Sequence, residues 1–219
     1  MQLVIANVVP EETVKRARKG LADARFASGS ATAGWAAKLV KDNDQAVLDA
    51  KVSDLRDELV AEIEGNALFR MAARPRRIVN PMFSRYREAQ TYGTHVDNAL
   101  MQGVRTDVSF TLFLGDPDGY DGGELVIETS AGEDAVKLAA GSMIVYPSTT
   151  LHRVEPVTRG ERLVMVGWVR SYIRDAGRRE LLFDLETAQR VLFDRHGKTA
   201  EHDLVSKSLA NLLRMWVED

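Results

Sequence analysis

The sequence predicts an α+β chain in which a β-sandwich or double-sheet jelly roll sits between two helical ends. Three observations carry that expectation. Short apolar runs broken by Gly, Pro and Asp fill the stretch from about Arg77 to Ile173, whereas apolar residues spaced three and four apart mark the chain on either side. With 219 residues, 45% of them hydrophobic, the chain can enclose a substantial core and reads as one elaborated domain. No cysteine is present, which excludes a disulfide framework, a cysteine nucleophile and zinc-ribbon chemistry; any metal must be held by nitrogen and oxygen.

Leu3 to Val9 reads as a strand, and Pro10 followed by Glu11 and Glu12 is good chemistry for the first turn of a helix continuing through Leu21. The small residues from Ser28 to Gly34 form a loop or hairpin, without the lysine of a phosphate loop. A second helix is expected from Asp44 to Glu64, where Val47, Leu48, Val52, Leu55, Leu59, Val60 and Ile63 make a core-facing stripe. Arg74, Arg76 and Arg77 surround Pro75 just after Arg70. Without interleaved aromatics they read as a solvated turn leading into a strand, and a net charge of -3 gives no electrostatic case for nucleic acid.

In the central stretch Val104, Thr106, Val108, Phe110, Leu112 and Leu114 alternate with Arg105, Asp107, Ser109, Thr111 and Phe113, before a Gly-Asp-Pro-Asp-Gly turn at 115–119. Further strands begin at Gly122 and Gly141, and a longer one runs from Leu163 to Ile173. Beyond Arg174 the helical period returns with Leu181, Leu185, Ala188 and Leu192, stopping at His196-Gly197. A last helix carries Val205, Leu209, Leu212 and Trp216 and should fold onto the core or a second copy of the chain. The expected partition is 1–76 as support, 77–173 as the β-rich core and 174–219 as a helical extension. The opening apolar run has no basic flank, and no stretch approaches the roughly 20 apolar residues that cross a bilayer, so no membrane association and a cytoplasmic setting are expected.

Chemistry concentrates in His95-Val96-Asp97. In a strand, i and i+2 side chains share a face, and a distant histidine could complete a two-His, one-carboxylate facial triad suited to non-haem Fe(II). His152 stands after a turn-rich stretch, at the start of a strand. If the turn from Glu155 to Gly160 folds that strand back on the one starting at Arg162, His152 and Arg162 have the same parity and face one interior. An inward arginine needs a partner, and a small-molecule carboxylate satisfies it bidentately. His196 and His202, near the ends of C-terminal helices, read as capping or solvated residues.

Taken with Tyr86 and Tyr92 upstream, Gly122-Gly123-Glu124-Leu125 in the middle and Trp168 at the end, this arrangement resembles the Fe(II)- and 2-oxoglutarate-dependent dioxygenases. More narrowly, the runs 95–99 (His-Val-Asp-Asn-Ala), 105–109 (Arg-Thr-Asp-Val-Ser) and 120–125 (Tyr-Asp-Gly-Gly-Glu-Leu) are similar to the PKHD-type hydroxylases, the PiuC/YbiX group related to prolyl 4-hydroxylases. Runs 32–34 (Thr-Ala-Gly) and 40–43 (Val-Lys-Asp-Asn) fit as well. The resemblance narrows the core to a double-stranded β-helix (jelly roll) with helices packed around it. It implies Fe(II) on His95, Asp97 and His152, with Arg162 on the distal carboxylate of 2-oxoglutarate and Tyr86 and Tyr92 near that cosubstrate. L-ascorbate is the implied reductant.

The implied reaction couples decarboxylation of 2-oxoglutarate to succinate with hydroxylation of a C–H bond. Its substrate is a peptide or protein side chain, or a small molecule connected with iron uptake. Two departures from the broader pattern stand out: Ala89 occupies a glycine position, and Arg162 replaces the lysine typical of prolyl 4-hydroxylases, keeping a cation while adding a planar fork. Asn98, Arg105 and Trp168 are candidates for the substrate pocket, and Gly122 and Gly123 for a tight turn rather than a phosphate loop. The alternatives are a non-catalytic jelly-roll sensor of iron, oxygen or 2-oxoglutarate and a cupin-like metalloenzyme. The second would want more His or Glu ligands than the chain offers.

Overall fold

A computed structural model describes residues 1–32, 34 and 37–218. The chain begins with β1 (Leu3–Ile5), α1 (Glu11–Ala22), β2 (Phe26–Ser28), β3 (Lys41–Asp42), β4 (Asp44–Ala46), α2 (Ala50–Gly65) and α3 (Ala67–Ala73). The β-rich stretch follows with β5 (Pro75–Arg87), β6 (Thr91–His95), β7 (Leu100–Met101), β8 (Val104–Arg105), β9 (Val108–Phe113), β10 (Tyr120–Gly122) and β11 (Leu125–Thr129). It closes with β12 (Gly132–Val136), β13 (Met143–Pro147), β14 (His152–Val154) and β15 (Val157–Ser171), after which α4 (Ala176–His196) and α5 (Ala200–Trp216) complete the chain. Among the described residues, an eight-stranded sheet runs β1-β13-β9-β15-β5-β4-β2 with β10 beside β15, and a five-stranded sheet runs β12-β11-β14-β6-β3. Every pairing is antiparallel.

Alternation along the large sheet separates two cores. Phe83, Phe110, Leu112, Met143, Val145, Leu163, Met165 and Val169 face α1, α2 and α3, meeting Val14, Leu21, Leu59, Ile63 and Phe69. Leu59 and Ile63 are fully buried, and truncating either to alanine costs about 2–5 kcal/mol. The opposite face presents Tyr86, Phe113, Ile144, Tyr146 and Val164 to Leu125, Ile127 and Val154 of the small sheet. That inter-sheet layer contains the candidate site.

Several expectations are corrected by the competition between local pattern and sheet pairing. The first strand stops at Ile5, because Asn7 turns the chain with φ 52. The helix expected from Asp44 begins only at Ala50: 44–46 pairs with β5 and β2, and the Asp49 side chain accepts a hydrogen bond from Val52 N as its cap. Leu48, assigned to the buried stripe, is half exposed. Residues 28–32 end β2 and form a 3-10 turn, and Ala33 of the expected loop lies outside the described residues. Arg74 is no solvated turn residue. It caps α3 in the left-handed region and pairs with Glu186 of α4 at 2.6 Å, whereas Arg76 and Arg77 are exposed.

The stretch 104–114 breaks after Arg105, and all of β9 is buried, so its polar residues face the inter-sheet layer rather than solvent. In α4 the buried apolar residue is Leu182, not Leu181, and its packing against Ile173 and Leu209 docks α5 as well. The largest correction concerns His152 and Arg162. They do not share a hairpin: β14 pairs with β11 and β6, whereas β15 pairs with β5, β9 and β10. The link at 155–156 carries the chain from one sheet to the other, and the two side chains line one cavity from opposite sheets.

Candidate active site

His95 ends β6 and lies directly opposite His152 of β14, so register alone puts both imidazoles on one face, with ring centroids 4.3 Å apart. Asp97 follows two residues beyond His95, and the ligand atoms of all three lie within 4.8 Å of one another. Each imidazole is set from behind. His95 Nδ1 is 2.8 Å from Gly93 O and His152 Nδ1 is 3.0 Å from Thr150 O; a carbonyl only accepts, so each Nδ1 carries the proton and each Nε2 offers a lone pair forward. Burial, helped by neighbouring His152, lowers the His95 pKa to about 4, which keeps the ring in its neutral, ligating form.

A β-bulge adjusts this geometry. Tyr92 and His95 are three residues apart and would point to opposite faces of a regular strand. An extra residue on β6 between the Val154 and His152 pairings turns both inward, and their rings stack at 3.6 Å. Gly93 occupies the bulge because a Cβ there would stand 2.9 Å from Val40 Cβ. Asp97 is held from the other sheet: Ser109 Oγ of β9 donates to Asp97 Oδ2 at 2.5 Å, and Ser148 Oγ lies 2.8 Å from Ser109 Oγ.

Arg162 lies deep in the sandwich, only 1% exposed, beside its strand partner Tyr86. Its guanidinium carbon is 5.0 Å from the Tyr86 ring centroid and 5.5 Å from that of Phe113. Its Nε and Nη1 are buried without a hydrogen-bond partner among the described residues. A buried guanidinium with unused donors is costly, so the site asks for a carboxylate. Gly123 (φ 69) brings the backbone against this arginine: a Cβ would come within 3.0 Å of Arg162 Cδ. The two glycines thus serve the close approach expected of them.

Both ends open into one cavity of about 300 Å³, which also takes in Tyr86, Tyr92, Asn98 and Trp168. Arg105 turns away from it and donates to Asp107, Glu218 and the Ser171 carbonyl. Glu124 also lies outside the lining. The structure adds Lys41, Asn43, Ser109, Thr111 and Tyr146, which sequence reasoning missed. The polar alternation Ser109, Thr111 in an otherwise apolar strand was the available signal, because a strand buried on both faces keeps polar residues only where they have partners. Burial lowers Lys41 to about 8, and it raises the phenols of Tyr86 and Tyr146 above their usual range.

Residues 81–170 match the model of the 2OG-Fe(II) oxygenase superfamily. A PKHD-type hydroxylase of Acaryochloris marina is 54% identical over 219 residues, covering 100% of both chains, and one of Maricaulis maris is 48% identical over the same full extent. The chain belongs to the PKHD-type hydroxylases. It is accordingly a 2-oxoglutarate-dependent dioxygenase. Solved structures share the fold: a Pseudomonas putida prolyl-4-hydroxylase superposes with TM-score 0.54 at 24% identity, covering 78% of this chain and 92% of that one. HygX from Streptomyces hygroscopicus, solved with nickel and 2-oxoglutarate, gives 0.58 at 14% identity, covering 78% and 84%. These neighbours bear out the α+β jelly-roll expectation. No helix among the described residues is long and apolar enough to cross a membrane.

Proposed function

We propose that His95, Asp97 and His152 hold the Fe(II) of this hydroxylase, that Arg162 receives the distal carboxylate of 2-oxoglutarate, and that Tyr86 and Tyr92 flank the cosubstrate. One observation carries this reading. Two imidazoles and a carboxylate converge on one point, and a guanidinium with donors unused among the described residues faces the same cavity from the opposite sheet. The donor set fits Fe(II): mixed nitrogen and oxygen ligands on one side leave the other side open. When bound, iron and cosubstrate would supply the oxidising chemistry with dioxygen as oxidant: one oxygen atom would enter succinate as 2-oxoglutarate loses carbon dioxide, and the other would convert a substrate C–H bond to C–OH.

The chain's own residues bind and orient. The Gly93 and Thr150 carbonyls fix the imidazole tautomers, Ser109 fixes the carboxylate, and the planar fork of Arg162 sets the depth at which a dicarboxylate seats. Asn98 and Trp168 border the part of the cavity left for a substrate. L-ascorbate, in this reading, returns oxidised iron to the ferrous state. The test is succinate release from 2-oxoglutarate with Fe(II), oxygen and ascorbate. Wild type should release succinate slowly without added substrate and His152→Ala should release none; an equal rate from the variant would overturn the ligand assignment.

A further inference from the structure

Of the described residues that line the cavity, Asn43, Arg162 and Trp168 hold buried side-chain polar atoms without a hydrogen-bond partner among the described residues. Arg162 awaits the cosubstrate in the assignment above, and Trp168 borders the space left for a substrate. Asn43 has no part in either role. It is the single residue linking β3 of the small sheet to β4 of the large one, 2% exposed, with both Oδ1 and Nδ2 unpaired. Keeping a buried amide that makes none of its hydrogen bonds is costly unless a ligand supplies them.

Strand register indicates which ligand. β4 pairs with β5 as Asp44 opposite Arg85 and Gln45 opposite Ser84, so one further step brings Asn43 level with Tyr86, and Tyr86 is itself opposite Arg162 of β15. Parity agrees, because Asn43, Gln45, Ser84 and Tyr86 all line the cavity. The Asn43 amide and the Arg162 guanidinium both favour the ionised Tyr86 phenol, against the burial that raises its pKa, yet the amide makes no bond of hydrogen-bond geometry to it. The amide is also oriented. Gly29 N donates to Asn43 O at 2.8 Å, and the Gly29 backbone comes so close that a Cβ there would collide with Asn43 Oδ1. With its oxygen edge against Gly29, the amide turns its nitrogen edge away, and Nδ2 only donates. 2-Oxoglutarate offers acceptors alone, two carboxylates and a ketone.

We infer that Asn43 is a further cosubstrate-binding residue, its Nδ2 donating a hydrogen bond to an oxygen of bound 2-oxoglutarate in the row that holds Tyr86 and Arg162. The inference rests on the 2-oxoglutarate assignment above. A neutral amide adds direction without charge: the guanidinium attracts the dianion, and the amide fixes how it lies. The contribution comes from outside residues 81–170, the stretch that matches the superfamily model.

The experiment titrates 2-oxoglutarate into the full chain, loaded anaerobically with Mn(II), by calorimetry, and follows thermal unfolding with and without the ligand. Asn43→Ala should weaken 2-oxoglutarate about tenfold, and Asn43→Asp, which keeps the shape but replaces the N–H donor by a charge opposing a dianion, about 100-fold. Mn(II) affinity should be unchanged in both. Before ligand is added, Asn43→Ala should unfold close to the wild-type temperature, because its amide has no partner to lose, whereas the rise in unfolding temperature that 2-oxoglutarate brings should shrink. In a Tyr86→Phe background Asn43→Ala should cost a similar factor again, since its hydrogen bond goes to the ligand and not through the phenol. Unchanged 2-oxoglutarate affinity in Asn43→Ala, a loss that disappears in the Tyr86→Phe background, or a loss that comes with weaker Mn(II) binding and a lower unfolding temperature of the ligand-free protein overturns the inference. Wild type that binds Mn(II) but no 2-oxoglutarate would instead overturn the assignment beneath it.

Discussion

At the triad end of the cavity the side chains are held from behind: two backbone carbonyls accept from the imidazoles, and a serine from the facing sheet donates to Asp97. At the Arg162 end, by contrast, a guanidinium sits against two aromatic rings with Nε and Nη1 unsatisfied among the described residues. The first end is preorganised, so in the proposed assignment an ion would find its ligands in place. The second is incomplete, so a carboxylate contributes hydrogen bonds that the protein does not make for itself. This difference predicts that the two ends can be broken independently.

The largest effect should come from Asp97→Ala, which removes the only carboxylate among the triad atoms. Iron affinity should fall by roughly a thousandfold or more, beyond the about 10–100-fold typical of losing a supporting residue. Iron stoichiometry after anaerobic loading and desalting measures it, and wild-type retention would sink the triad. Arg162→Ala should leave that stoichiometry unchanged and weaken 2-oxoglutarate by about 100–1000-fold, because a buried carboxylate loses its charged partner. Calorimetric titration of the Mn(II)-loaded variant reads this. Loss of metal together with cosubstrate would show that the ends are coupled.

Ser109→Ala sharpens the comparison, because Ser109 belongs to the large sheet yet orients the Asp97 carboxylate that follows β6 of the small one. Without its hydroxyl, Asp97 keeps its place in the chain but loses the donor that orients it. Mn(II) affinity should drop about 10–100-fold while 2-oxoglutarate affinity of the metal-saturated protein changes little. Ser109→Thr, which keeps a hydroxyl, should recover most of the loss. An unchanged Mn(II) affinity in Ser109→Ala would mean that the 2.5 Å contact does not tune the site.

The triad was legible in the sequence because its members obey simple spacing, and His95 and Asp97 do project together. The helical ends were legible from apolar stripes. What the sequence did not disclose was which sheet each strand joins. His152 and Arg162 share parity in a hypothetical hairpin, but parity is equally satisfied by two sheets facing each other, and only long-range pairing distinguishes the two. Bulges hid more: the three-residue spacing of Tyr92 and His95 looks wrong for one face until the extra residue on β6 is seen. Lys41 lay within the 40–43 run that fits the family, but its place in the cavity was hidden for a similar reason, since a two-residue edge strand leaves no periodic signal.

The smallest effect concerns the turn joining the two ends, between Tyr86 on β5 and Tyr92 on β6. Glu88 and Ala89 have φ of 38 and 67, and Gln90 N donates to Arg87 O at 2.8 Å, the pattern of a β-turn with both central residues left-handed, which here carries the chain from the large sheet to the small one. Glycine is the residue that adopts this conformation freely, and the related sequence pattern has glycine where this chain has Ala89. Ala89 is exposed and packs nothing that a glycine would forfeit. Ala89→Gly should therefore stabilise the fold by about 0.5–1 kcal/mol, set by relief of strain less the entropy gained by the unfolded chain. Thermal unfolding should move up by about 2–4 °C per kcal/mol, with Mn(II) and 2-oxoglutarate affinities unchanged. A shift in either affinity would show that the turn sets the spacing between the two ends as well as connecting them.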